Sequence, residues 1–442
     1  MTGVGSIARW VWGVAVALLL VAAAMLVPWL TGWRVFVDFP PLHAVWLPRL
    51  GPGTVPAVLV GALAVWFGGR LAARMRWRWL LLVAFAAGLA WLVSLALVDG
   101  LHGLGAILDD TSEYLGTARE VTDIGALLER YIAHIPLDSA DNWPIHIAGH
   151  PPGALLFFVA LVQLGLGSPL AAGLVVTVLG ATTPVAVLVA LRRLGAEAEA
   201  RVAAPFLVVG TAAIWIAVSA DGMFAAVAAW GLCVLAFAAT SRRWFAIAGW
   251  GVLAGLLLGY CVMLSYGLPL LGVLAVAVLV LARSWRPLPW AVGAAVVVVL
   301  LFAAAGFAWW EAYPVLVERY WAGIASDRPF GYWVWGDLAA LVFSAGPIVG
   351  ASLVLAGERF RAVRERTGGV RVIVLLVAAA ALIVLLADLS QMSKAEVERI
   401  WLPFVPWLLL GTALLPERAR RPALAVQVIA ALVIQHLLAT PW

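Results

Sequence analysis

Three short stretches of this 442-residue chain hold most of the side chains that could do chemistry. The first is DDTSEYLGTARE, residues 109–120, in which Asp109, Asp110, Glu113 and Glu120 cluster around Tyr114. On a helix, Asp110, Glu113, Thr117 and Glu120 would share one face, so a carboxylate there could take the proton of an attacking hydroxyl. The second is IHIAGHPPGALLFF, residues 145–158, with His146, His150 and then Pro151 and Pro152. Proline holds the preceding residue extended and suits the first turn of a helix, so this corner fixes the direction of the His150 imidazole. The third is DLSQMSKAEVERIW, residues 388–401, carrying Lys394, Glu398 and Arg399; Lys394 is the sole lysine among 28 Lys and Arg residues. Such cations just above an apolar run could hold a phosphate. Asp221 in SADGMF and Arg328 in ERYWAGIASDRPFGYW also sit at the edge of apolar runs, where an ionisable group is costly and hence a candidate for function.

Each stretch also has a plainer reading. The first suits a solvated helix at an interface, and the second a simple helix start. In the third, Lys394 and Arg399 could pair with Glu396, Glu398 or lipid headgroups. Asp221 could end a tight turn, Arg328 could pair with Asp327, and Asp38 and His43 are weaker candidates of the same kind.

The elements that must position these residues are set by composition. The chain is 65% hydrophobic and 12% charged, with a mean hydropathy of +1.05, outside the range of soluble globular proteins. That implies an all-α integral membrane protein, and alternating strands of the kind a barrel needs are not visible. Apolar runs fall at 10–31, 54–69, 79–98, 202–219, 222–240, 245–262, 266–282, 288–309, 337–356, 370–388, 401–416 and 422–440. The region 151–191 adds one net crossing, with 151–166 as a short or half-buried helix. The expectation is about 13 transmembrane helices at roughly 20 residues each.

The net charge of +5 lies mostly in clusters between runs, such as RLAARMRWR at 70–78 and ERFRAVRER at 358–366. The positive-inside rule turns these to the cytoplasm rather than toward nucleic acid. The N-terminus is then cytoplasmic in a multi-pass plasma-membrane protein, and most acids and histidines face outward. The external loops are 99–150, 310–337 and 388–400; the first has the pattern of an amphipathic interfacial helix. Residues 1–442 read as a single polytopic domain: an added N-terminal hairpin at 1–78, a core at 79–285 and C-terminal helices at 286–442. Cys233 and Cys261 lie inside apolar runs, without ligand spacing, and read as packing residues.

With that order and sidedness, the motifs resemble the GT-C superfamily of polytopic, lipid-dependent glycosyltransferases, particularly the protein O-mannosyltransferase and aminoarabinose transferase branch. Asp110 to Glu120 is similar to the first-loop pattern D-E-x-x-Y-x-x-x-A-R-E, with Thr111 in place of the second acid. His150-Pro151-Pro152-Gly153 resembles the later H/K-P-P-L motif, and IWLPFVPW resembles a late cation-then-aromatic-L-P-x-x-P stretch. Lys394 precedes Pro403 by a longer gap than that pattern, which leaves Arg399 as the other candidate for its cation.

The resemblance implies a sugar on a polyprenyl phosphate as donor and an extracytoplasmic glycan, lipid or protein as acceptor, among membrane lipids. It implies Asp110, with Asp109 beside it, as catalytic carboxylates, His150 as an orienting residue, and Lys394, Arg399 and Arg328 on the donor phosphate. Glu113, Tyr114, His146, Asp221 and Glu398 are further candidates. Some relatives bind a divalent metal (Mg or Mn), but Asp109, Asp110 and Glu113 form no diagnostic ligand set. The alternative is a transporter or flippase for lipid-linked glycans or other anionic substrates, which should carry charges or broken helices near the bilayer midplane. A non-catalytic membrane subunit would leave the ordered Asp110, His150 and Lys394 set unexplained.

Overall fold

A computed structural model describes residues 4–363 and 367–440. The protein is an all-α membrane protein. Its described strands are two residues long, and they pair antiparallel: Val45–Trp46 near one terminus with Leu438–Ala439 near the other. Seven described helices are long and apolar enough to cross a membrane: Arg9–Thr31, Thr54–Arg74, Trp77–Asp99, Pro169–Arg193, Ala220–Thr240, Trp244–Leu264 and Gly368–Ser390. Two bent pairs raise this to nine if each is one span: Leu288–Ala304 with Trp309–Ala322, and Phe330–Ala345 with Ile348–Phe360.

Within the apolar run expected at 337–356, the chain turns through 106° at Gly346 and Pro347. Gly346 has a φ of +78°, a left-handed conformation that glycine adopts without strain, and Pro347 offers no N–H to continue the ladder. Carbonyls near this break are taken by neutral side chains: Gln427 donates to Ala345 O at 2.8 Å and Thr211 to Ser344 O at 2.7 Å. The run expected at 202–219 is likewise interrupted, as the helix Glu197–Val208 followed by the short Ala213–Ile216. The runs at 266–282 and 401–416 are shorter helical segments, Leu268–Ala282 and Val405–Leu414. Hydropathy registers apolar content and cannot see these breaks, because Gly, Pro and Thr inside a run leave its average high. Region 151–191 forms the short helix Pro152–Gln163 and the long Pro169–Arg193, the division its composition suggested.

Ala220–Thr240 lies at the centre, with 83% of its apolar window buried, against 17% for the peripheral Thr54–Arg74. Small residues let its neighbours approach: a Cβ on Gly255 would come within 2.1 Å of Ala291 O, so Trp244–Leu264 meets Leu288–Ala304 backbone to backbone. Ser219 starts the central helix by accepting the Gly222 N–H at 2.9 Å, a side-chain cap for an otherwise orphaned donor. That cap sets Asp221 in the first turn, at the end of the bundle where the loop residues described next gather.

Candidate active site

The stretch 107–135 is not the continuous amphipathic helix its pattern suggests. It is a succession of short turns and helices: Ala106–Asp109, Tyr114–Glu120, Ile124–Arg130 and Ile132–His134. Asp110 therefore lies before the helix that starts at Tyr114, and the shared face of Asp110, Glu113, Thr117 and Glu120 does not form. A tight turn replaces it, in which Glu113 N–H donates to Asp110 O at 3.0 Å. Asp110 Oδ1 accepts from Ser112 N at 2.8 Å and Ser112 Oγ at 2.7 Å, an Asx turn. Those two hydrogen bonds hold the exposed Asp110 carboxyl below its ordinary range. Asp109 is engaged elsewhere, 2.5 Å from Arg119 Nη1.

Behind Asp110 lies a buried charge cluster drawn from four separate parts of the chain. Glu113 Oε1 is 2.9 Å from His146 Nδ1 and 3.4 Å from Arg399 Nη1. Arg399 Nε is 3.2 Å from Asp221 Oδ2, and its Nη2 is 3.7 Å from Glu396 Oε2. Glu113, His146, Asp221 and Arg399 are all buried. Burial alone pushes the Glu113 carboxyl up, but the contact with His146 and the Arg399 charge outweigh it and leave it below its ordinary range. Burial likewise opposes the Arg399 charge, yet Asp221 and Glu113 more than restore it, so its pKa is raised. Removing any member would strand the others' charges in a dry environment.

His150 lies beside this cluster. Its Nδ1 contacts His146 O at 2.7 Å, and its ring packs between Tyr114 and Phe224, with centroids 6.0 and 5.6 Å away. Burial lowers the His150 pKa. Tyr131 holds the corner by donating to Ile147 O at 2.9 Å and His150 O at 3.1 Å. Pro151 and Pro152 then start the helix Pro152–Gln163. Gly153 explains the departure from H/K-P-P-L: a Cβ there would lie 2.4 Å from Met263 O. Tyr260 Oη donates to Gly153 O at 2.9 Å across the same contact.

Lys394 and Arg328 come together in a second cluster rather than on this one. Lys394 Nζ donates to Ala325 O at 3.2 Å and Arg328 O at 3.1 Å, and lies 4.5 Å above the Trp321 ring. In return, Arg328 Nη1 donates to Lys394 O at 2.8 Å, while its Nη2 lies 2.6 Å from His43 Nε2. Burial lowers the Lys394 pKa, and burial with the nearby Arg328 charge lowers that of His43. Ala395, at a φ of +73°, donates its N–H to Asp337 Oδ1 at 3.0 Å. Glu398 is fully buried on the same short helix as Arg399, Val397–Ile400.

Next to Asp110 opens a cleft of about 520 Å³, lined among others by Asp109, Asp110, Asp99, Arg49 and Gln435. Arg49, Asp99 and Gln435 are far apart in the chain and were not among the residues that spacing singled out. Of the three only Asp99, an acid closing a long apolar run, carries a signal in the sequence. Among the described residues no group of three or more His, Cys, Asp or Glu is arranged to hold a metal ion. Glu113 and His146 are already bonded to each other, and Asp109 to Arg119, so these residues do not fit a metal site. The arrangement pairs an ionised, accessible carboxylate with a buried guanidinium held by the neighbouring Glu113, the elements of base and anion stabilisation. Comparison of the chain with protein-family models, curated proteins and solved structures gives no match.

Proposed function

We propose that this protein is a GT-C-like membrane glycosyltransferase that moves a sugar from a polyprenyl-phosphate donor to an acceptor outside the cytoplasm, with inversion. The observation that carries the reading is the meeting of its three motif stretches: Asp110 and Glu113, His146 and His150, and Arg399 converge at one end of the bundle with Asp221. The basic inter-helix clusters support a reading in which that end faces outward from the plasma membrane, with the N-terminus in the cytoplasm.

Asp110 accepts the proton of an acceptor hydroxyl as its oxygen bonds to the anomeric carbon. The bond from that carbon to the phosphate oxygen breaks on the opposite face, and polyprenyl phosphate leaves with the electron pair. Arg399 opposes the growing negative charge. Its contacts of 3.2 to 3.7 Å with three carboxylates are longer than tight charge-assisted hydrogen bonds, so the guanidinium is shared and can turn toward a phosphate. His146 and His150 orient the reactants. Lys394 and Arg328 hold the loop that carries Arg399 instead of touching the donor themselves. The acceptor is an envelope glycan, lipid or protein.

A transporter or flippase is the rival reading, and the 106° break favours it in part. The groups that take carbonyls at that break, Gln427 and Thr211, are neutral, whereas the charged groups gather at the bundle end. Purified protein given a radiolabelled polyprenyl-phosphate sugar and membrane extract is expected to release polyprenyl phosphate. Movement of intact donor across vesicles with no cleavage would replace this reading with the rival one.

A further inference from the structure

The cleft beside Asp110 has walls from regions far apart in sequence. Arg49 comes from the loop after the first helix, Asp99 from the end of Trp77–Asp99, Asp109 and Asp110 from the turn described above, and Gln435 from the last helix. The strand pair of residues 45–46 and 438–439 ties the two ends of the chain together at this place. Arg49 reinforces it by donating to Leu438 O at 2.7 Å. At about 520 Å³, the cleft falls in the size range of small-molecule sites.

Its chemistry is specific. Arg49 Nε lies 2.5 Å from Asp99 Oδ1, and Asp109 is neutralised by Arg119. Among the described residues Asp110 is then the lining carboxylate without an ion pair, and an anionic ligand would meet a net negative wall. Gln435 is only 6% exposed. Its Nε2 donates to Leu95 O at 3.1 Å and to Asp99 Oδ2 at 3.2 Å. Its Oε1 accepts no hydrogen bond among the described residues and is not sealed from solvent, so it is an accessible acceptor on a side chain that lines the cleft. Ile107, Ile214 and Val218 supply an apolar floor.

We propose that this cleft binds a neutral, hydroxyl-rich carbohydrate, with Gln435 Oε1 accepting one of its hydroxyls and the apolar floor covering a sugar face. Resting on the transferase reading, this assigns the acceptor as the neutral end of a glycan, one hydroxyl of which faces Asp110. It excludes uronic acids and phosphorylated ends as the bound group.

Binding can be read without turnover. Cys233 and Cys261 are buried, so His102→Cys, at the cleft, introduces a reactive thiol, and Leu137→Cys serves as a control outside the lining. An uncharged maleimide labels each in detergent, with mannotriose, chitotriose, arabinotriose or trigalacturonic acid added. At least one neutral trisaccharide is expected to slow labelling of His102→Cys about tenfold at ten times its Kd, leaving Leu137→Cys unaffected and trigalacturonic acid without effect. Gln435→Met should weaken the affinity behind this protection at least about tenfold, because the acceptor is lost together with the two hydrogen bonds that seat the side chain. Ile214→Trp, which fills the floor, should remove it even if Gln435→Met folds poorly. Absence of protection by every neutral probe, equal protection by trigalacturonic acid, or protection that survives Ile214→Trp would each overturn the proposal. Protection without any release of polyprenyl phosphate would keep the carbohydrate site and remove the transferase reading; release without protection would do the reverse.

Discussion

Two buried charge clusters lie close together at one end of this bundle, and their charges are used differently. In the Glu113 cluster, side chains from four parts of the chain face one another, and the one cation is shared among carboxylates. In the Lys394 cluster, two cations donate to the backbone carbonyls of each other's loops, 323–328 and 391–396. Charge held against charge can be redistributed when a charged ligand arrives. Charge held against backbone fixes a loop and has little left to offer. In the proposed function the first cluster carries the chemistry, and the second is a latch on the loop that leads to Arg399.

The change most able to break this contrast is at Arg399. Arg399→Met leaves Glu113 and Asp221 buried without their cation and should cost about 3–5 kcal/mol of stability, read as a fall in melting temperature along with lost transfer. A variant that melts like the parent would mean the cluster is not dry. Lys394→Met should cost about 1–3 kcal/mol, because the Ala325 and Arg328 carbonyls lose their donor. The fraction that stays folded should keep its rate per molecule within about tenfold; a complete loss of turnover in well-folded Lys394→Met would move Lys394 into the chemistry. Gly153→Leu, which restores the residue of the resembled motif, should cost about 1–3 kcal/mol through the clash with Met263 O. If it is neutral, the corner is looser than described.

The dependence on pH is weaker than any of these. His150 in one cluster and His43 in the other both have pKa values below the ordinary 6.5. The unfolded chain then binds more protons than the folded one as pH falls through 6.5. Their contribution is present above 6.5 and is lost below it, down through the depressed values. Melting temperature should therefore drop on acidification from neutral to mildly acid buffer, and His43→Gln should flatten the slope. An unchanged slope would mean that the contact between His43 and Arg328 does not depend on a neutral imidazole.

The all-α membrane character, the short helix after the Pro-Pro corner and the long apolar helices were legible in the sequence, since burial in lipid writes itself into continuous apolar composition. The breaks were not: at Gly346-Pro347 the Ser344 and Ala345 carbonyls are satisfied by Thr211 and Gln427 from elsewhere in the chain, and in the interruption at 209–212 the Gly210 carbonyl is satisfied by Trp91. Spacing singled out Asp110, Glu113, His146, His150, Asp221 and Arg399 as candidates. It took Asp110 and Glu113 for one helical face, whereas a tight turn brings them together. Rarity drew attention to Lys394, but a lone lysine says nothing about which oxygens its ammonium meets. Gln435 and Arg49 carried no signal, because their importance comes only from the pairing of the two chain ends.

The proposed chemistry turns on Asp110, the accessible carboxylate in front of the Glu113 cluster, acting as the base. The most direct test is the rate of polyprenyl-phosphate release by Asp110→Asn, compared with the parent at matched melting temperature. The expected result is a fall of about 10²–10⁴-fold, with the sugar donor still bound. An Asp110→Asn protein that turns over at the parental rate would contradict the assignment.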